Sequence, residues 1–257
     1  MENKPHKLRG FLAAASAIAV LGSANAALIG HWAFDEGTGA TAADSSGNGN
    51  DGAIVGGTWG SDATRASYII MDGVSGSVVD PNVTLPTMSS TNNFTWAFWA
   101  NNQNAAGNSV LIGNRYDGSG TDYAPRQFVK FTPTKFEWHQ NGNGNDNQDY
   151  DDLITGEWHH HAVVKTGTSV QYYRDGVASG PAGTLSEDLA SADAMRFFIG
   201  GNTGTASAGE VFTGYIDDVR IYDEALSAGA VSALAIPEPS SLLLGVLSLG
   251  MLIRRKR

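Results

Sequence analysis

The run Phe94-Thr95-Trp96-Ala97-Phe98-Trp99-Ala100 decides the fold class. Side chains of an extended strand point alternately to opposite faces. Phe94, Trp96 and Phe98 therefore share one face, and Thr95, Ala97 and Trp99 the other. Helical spacing does not describe this run. Bulky residues on both faces mark an interior strand, covered on one side and lining a concavity on the other.

Outward from this run, short β-rich segments alternate with Gly/Asn/Asp clusters, the pattern of a sandwich. The strands expected are Leu28–Phe34, Ala66–Met71, Phe94–Asn101, Ser109–Asn114, Gln127–Thr132, Lys135–Gln140, Trp158–Lys165, Ser169–Arg174, Met195–Ile199 and Gly214–Tyr222. Asp175-Gly176 fits a tight hairpin turn because glycine accepts positive φ without a steric cost, and Asp72-Gly73 fits another. Asp223–Ala235 is the best helix candidate, capping the domain.

Composition bounds the rest. The chain has 257 residues, 32 of them glycine, and no cysteine, which excludes disulfides, thiolate-bound zinc and thiol nucleophiles. The net charge is -10, but residues 1–26 contribute +2 and residues 237–257 contribute +3, leaving -15 on the body between them. An acidic body repels phosphate backbones, so no nucleic-acid partner is expected.

The two ends read as addresses. Lys4, Lys7 and Arg9 precede the apolar run Phe11–Leu21, and Ala24-Asn25-Ala26 supplies a small-x-small cleavage site. Residues 1–26 are expected to be a signal peptide, cut after Ala26. At the other end Pro237-Glu238-Pro239 leads into the apolar stretch Ser240–Ile253 and the cluster Arg254-Arg255-Lys256-Arg257. Fourteen apolar residues fall short of the roughly 20 that span a bilayer comfortably. This order resembles the PEP-CTERM sorting signal of Gram-negative bacteria. The resemblance implies an exosortase-type partner that removes the tail near Pro237, Glu238 and Pro239, transient anchoring in the inner membrane by the C-terminal helix, and a body at the cell envelope, outer surface or extracellular matrix. Residues 27–236 are left as one domain, with 237–257 as the sorting segment.

That body is similar to the LamG-like jelly-roll domains of the concanavalin A-like lectin/glucanase superfamily. The pieces that carry the resemblance occur in family order. They are His31-Trp-Ala-Phe-Asp-Glu-Gly-Thr-Gly39, Asp44-Ser-Ser-Gly-Asn-Gly-Asn-Asp-Gly52, Met71-Asp-Gly73, the aromatic strand above, Glu157-Trp-His-His-His-Ala-Val-Val164, Tyr172-Tyr-Arg-Asp-Gly176 and Gly214-Tyr-Ile-Asp-Asp-Val-Arg-Ile-Tyr222 with Ala225-Leu-Ser227. The resemblance implies an all-β fold, an antiparallel two-sheet jelly-roll sandwich with the chain ends near one another. Two departures stand out: Val74–Ser77 lacks the acidic and aromatic residues usual after the early Asp-Gly, and His161 replaces an apolar residue.

Four constellations could carry chemistry. The resemblance implies a structural calcium ion joining the N-terminal region to the closing strand. Calcium takes six to eight oxygen ligands, and the residues expected to supply them are Asp35, Asp44, Asn50 and Asp217. The alternative is that Asp44 only forms an Asx turn and Asp217 is solvated. Of His159-His160-His161, alternation puts His159 and His161 on one face, so two at most could share a zinc ion; the resemblance makes them framework residues. The loop Asn141–Asp152 is polar, lacks the EF-hand order, and could form a ligand rim with Asp117–Asp122. Sugar faces stack on aromatic rings; among the six tryptophans, Trp59 and Trp138 lie near loop edges, and with Asp149 they are the candidate glycan contacts.

No catalytic residue is assigned. Glucanases of the superfamily carry Glu-x-Asp-x-x-Glu on one strand; that pattern is absent, as are Gly-x-Ser-x-Gly and His-Glu-x-x-His. The expected function is a non-catalytic exported protein that binds glycan, exopolysaccharide or another surface polymer. A purely structural matrix component and a divergent polysaccharide hydrolase or lyase are the rivals.

Overall fold

The structure is a computed structural model that describes residues 27–73, 78–81, 93–103, 108–113, 127–140, 146–151, 155–185, 197–201 and 212–237. In chain order its strands are β1 (Leu28–Trp32), β2 (Thr41–Ala42), β3 (Gly52–Val55), β4 (Thr58–Gly60), β5 (Tyr68–Asp72), β6 (Val78–Asp80), β7 (Phe94–Asn102), β8 (Ser109–Gly113) and β9 (Gln127–Phe131). The rest are β10 (Phe136–Gln140), β11 (Gln148–Tyr150), β12 (His159–Thr166), β13 (Ser169–Arg174), β14 (Val177–Ala178), β15 (Gly183–Thr184), β16 (Phe198–Ile199) and β17 (Thr213–Tyr222), followed by helix α1 (Ala228–Leu234).

These strands build two antiparallel sheets. One runs β14-β13-β12-β7-β17-β5-β4, with β1 also on β17 and β15 on β13; the other runs β11-β10-β9-β8-β16-β6-β3-β2. Strand β7 is central to the first sheet, between β12 and β17, and all nine of its residues are buried. Phe94, Trp96, Phe98 and Ala100 face the core between the sheets. The alternation read from the sequence holds, and its opposite face is the surface that carries the candidate site.

That outer face is partly roofed by α1. Val231, fully buried, packs on Ala97, Ala162 and Val164. Ser227 caps the helix by accepting from the Ala230 N–H at 3.2 Å. The approach is fixed by Thr95, whose Oγ1 donates to the Glu224 carbonyl and accepts from the Leu226 N–H, both at 2.9 Å. The helix is shorter than Asp223–Ala235, since these bonds tie 224–226 to β7 before it begins. Among the described residues no helix is long and apolar enough to cross a membrane; Ala26, Glu238, Pro239 and the apolar runs at both ends lie outside those residues.

Candidate functional site

Three strands lay a row of side chains across the outer face. Register places His160 of β12 beside Trp99 of β7, and Trp99 beside Asp217 of β17. A fourth group comes from the turn before β5. There Asp62 Oδ1 accepts from the Thr64 N–H at 2.7 Å, the Thr64 hydroxyl at 2.6 Å and the Arg65 N–H at 2.9 Å, while the Asp62 N–H donates to the Arg65 carbonyl at 3.0 Å. This closed turn delivers Arg65 over the row. Its guanidinium carbon lies 4.2 Å from the Trp99 ring centroid and 4.5 Å from that of Trp158, cation–π distances to both. Asp217 holds it from behind as an ion pair. The Trp158 indole N–H is fixed by Asp62 Oδ2 at 3.1 Å, and Tyr68 meets the Trp158 ring edge-on at 5.2 Å.

The result is an open cleft of about 590 Å³ with Trp99, Trp158, Arg65, Asp62, Asn101 and Glu157 on its walls. Trp158 is half-buried and Glu157 exposed, so the mouth offers an aromatic edge beside polar groups. Asp62 is held below its ordinary range: against the raising effect of burial, hydrogen bonds from Thr64, Trp158 and Arg65 favour the carboxylate. Burial pushes Asp217 up to about 7 although Arg65 pulls it down. Behind Trp99, burial pushes His160 down to about 4, so it is neutral at pH 7.

The neighbouring charges are spent internally. A bulge in β17 puts Asp218 at φ +49°, aiming its carboxylate at His31 Nε2 (2.7 Å) and Arg220 Nε (2.9 Å). The histidines of β12 alternate as expected. His161 is in the core, stacked on Phe136 and bonded through Nδ1 to the Tyr172 hydroxyl at 2.7 Å. His159 lies 2.8 Å from Asp175.

The four residues expected at a calcium site do not form one donor set. Asp44 Oδ1 accepts from the N–H groups of His31 and Ser46, and Oδ2 from that of Asn50, all at 2.9 Å. The Asn50 amide donates to the Ile29 carbonyl at 2.8 Å. Asp217 belongs to Arg65, and Asp35 is exposed. Among the described residues no group of three or more His, Cys, Asp or Glu side chains could hold a metal ion. The Asp44–Asp51 loop forms an Asx-type closure stitched to β1.

The expected glycan contacts also separate. Trp138 is a correction: its strand turns it inward, fully buried, 5.1 Å from Trp96 and 5.4 Å from Phe94, where no ligand reaches. Trp59 is half-buried, its N–H donated to the Gly39 carbonyl at 2.8 Å, its ring edge-on to Phe34. Asp149 is exposed and lines a second cleft of about 660 Å³ with Lys135, Asp151 and the 179–184 turn. Register sets it beside Glu137 of β10. Burial and the Glu137 carboxylate raise Asp149, while against its own burial Glu137 is held low by His139 and Lys130. Asn141–Asn145, Asp152 and Asp117–Asp122 lie outside the described residues; Pro237 is on the rim of the aromatic cleft.

Two of the cleft's walls were legible in part. The alternation already put Trp99 on the face opposite Trp96. Trp158 was read only as part of a framework strand, and nothing in Asp62-Ala-Thr-Arg65 marks Arg65 as the residue that sits on two indoles.

Comparison with known proteins agrees with this geometry. The family model described as the concanavalin A-like lectin/glucanases superfamily matches residues 72–232. No curated protein matches. Among solved structures, the chain is similar to domain 4 of AbnA, a GH43 extracellular arabinanase from Geobacillus stearothermophilus in complex with arabinotriose. Identity is 22%, covering 82% of this chain and 99% of that one, with TM-score 0.60. It is similar also to the binding domain of Paraclostridial mosquitocidal protein 1 (14% identity, 81% of this chain and 51% of that one, TM-score 0.60). A third is Trypanosoma rangeli sialidase in complex with 2,3-difluorosialic acid (16% identity, 81% and 33%, TM-score 0.62). The chain thus spans about half of the second protein and a third of the sialidase; at these identities the likeness is one of fold.

Proposed function

The chain belongs to the concanavalin A-like lectin/glucanase superfamily, and from that premise we propose that it is an exported, non-catalytic protein that binds carbohydrate in the cleft between Trp99, Trp158 and Glu157. The observation that carries this reading is the combination in one open cleft of indole surface with Asp62, Asn101 and Glu157. Sugar rings bind through apolar faces laid on aromatic rings and hydroxyls bonded to carboxylates and amides. Neighbours of the same fold supply context: one is an arabinanase domain solved with arabinotriose, another is named as a binding domain.

The non-catalytic part rests on geometry as well as on missing motifs. The carboxyls Glu137 and Asp149 stand opposite each other on neighbouring strands. Glycosidases keep their two carboxyls about 5 to 9.5 Å apart to admit the bond they break. Glu137, buried and paired with Lys130 and His139, is not presented to such a bond.

Export rests on the two ends: the basic, apolar and small-residue order before Ala27, and the Pro-Glu-Pro, apolar and basic order after Ile236. On this reading 27–236 is the mature sandwich, an exosortase-type enzyme acts at the tail, and the product stays at the envelope or in the surrounding matrix.

The test is a glycan array with the native protein and Trp158→Ala. Binding to one or more polysaccharides should fall at least tenfold in the variant, since a stacked aromatic contributes on the order of 1.5 kcal/mol or more. A folded native protein that binds no glycan would leave the purely structural role.

A further inference from the structure

The aromatic cleft has an uneven charge. Among the described residues that line it, Arg65 is the sole cation and Asp62 and Glu157 are the anions. Arg65 is tied to Asp217, buried beneath it, and lies against the two indoles. Asp62 stays ionised because three neighbours hydrogen-bond its carboxylate. Glu157 has a side chain 72% exposed, and His159, 3.8 Å from it, is engaged by Asp175 at 2.8 Å. The mouth is left with two carboxylates beside the half-buried Trp158 indole, on a body that itself carries -15.

Both features favour a positive ligand. The negative face of an indole attracts cations, and these two rings already hold one, the Arg65 guanidinium. A carboxylate-bearing sugar would meet the opposite: two like charges and no free cation among the described lining residues. We propose that the cleft selects an amine-bearing glycan, a polymer of glucosamine type, over its N-acetylated and uronate counterparts, and that Glu157 is the residue that sets this preference. The inference rests on the cleft being the glycan site; it adds the class of sugar.

The experiment titrates the full native protein by calorimetry with three oligosaccharides of equal length: glucosamine, N-acetylglucosamine and galacturonate. It is run at about pH 6.5, where a sugar amine stays largely protonated, in low and in about 0.5 M salt. The glucosamine oligomer should bind roughly three- to tenfold tighter than the N-acetylated one at low salt, and the galacturonate weakest. High salt should erase most of the difference. Glu157→Gln, on an exposed side chain whose change does not threaten folding, should cut the preference to about twofold or less. Trp158→Ala is run in parallel. If it abolishes binding while the native protein holds all three sugars alike, the charge selection is overturned and the cleft reading survives. If Trp158→Ala binds as the native protein does, the cleft is not the site and both readings fall. An undiminished preference in Glu157→Gln would remove Glu157 from the role assigned to it.

Discussion

At the scale of the residue, the protein's response to acid is set by three buried groups that pull in different directions. Burial pushes His160 down to about 4 and His161 well below its ordinary 6.5. Between pH 6.5 and 4 the unfolded chain therefore binds a proton on each histidine that the folded chain refuses, and stability is lost as pH falls. Asp217 acts in reverse. Burial lifts it to about 7 from 3.8, so in the same window the folded chain keeps a proton that the unfolded chain has released, and stability is lost as pH rises. One histidine offsets Asp217, leaving a slope of about one net proton in favour of the higher pH. His161→Phe should remove that slope between pH 6.5 and 5, because Phe98, Phe131 and Phe136 already surround the ring. It should also cost about 1 kcal/mol at pH 7.5 through the lost bond to Tyr172. Urea unfolding at four pH values reads both effects; an acid limb as steep as the native one would mean that His161 is not its source.

At the scale of the element, the β13–β14 turn and α1 depend on each other. Asp175 and Gly176 have φ of +50° and +77°, the conformation of a tight hairpin with both central residues left-handed. A Cβ on Gly176 would stand 2.8 Å from Ser232 Cα and 3.1 Å from Ala235 Cβ, so the helix rests directly on the turn. Gly176→Ala should cost about 2 kcal/mol or more, from the forbidden φ and from lifting α1 off Ala97 and Ala162. Asp175→Asn, which tolerates the same φ, should cost little beyond the His159 contact. Thermal melts of the two variants make the comparison, and equal losses would refute the helix contact. This turn was readable from Asp-Gly alone, as were the long strands, because both signals are local. The two-residue strands β2, β14 and β15 carry too few side chains to show a period and exist only through their partners. The bulge in β17 was equally hidden. Ile216, Val219 and Ile221 all reach the core, a spacing of three then two, so strict alternation mispairs the strand at Asp218. That shift sends Asp217 to Arg65 and Asp218 to His31, an arrangement no local pattern announces. Trp138 failed as a glycan contact for the same kind of reason: closeness to a loop says nothing of which face its strand turns inward.

At the scale of the whole molecule, the first and last described strands close the nine-stranded sheet on each other. Strand β1 pairs with β17 from Leu28 opposite Tyr222 to Trp32 opposite Val219. The pairing continues one step outward, where the Ala27 N–H donates to Asp223 Oδ1 at 3.0 Å and the Asp223 N–H to the Ala27 carbonyl at 3.2 Å. Trp32 is fully buried against Phe197, and its indole N–H anchors the Asn50 carbonyl at 2.8 Å, tying the Asp44–Asp51 loop into the same closure. Among the described residues the closure is thus made between Ala27 and Asp223, and the Asp44–Asp51 loop is held by backbone donors. A chain of residues 27–237 should therefore fold alone and melt in one transition, with EDTA leaving the midpoint unmoved. A chain starting at Asp35 should not fold, since it lacks Trp32, Phe34 and the strand that pairs with β17. Circular dichroism melts of the two chains, with and without EDTA, decide the point. A midpoint that EDTA lowers would show that the backbone closure is insufficient and that an ion supplies the remainder, and a folded chain from Asp35 would show that β1 is an accessory to the sheet.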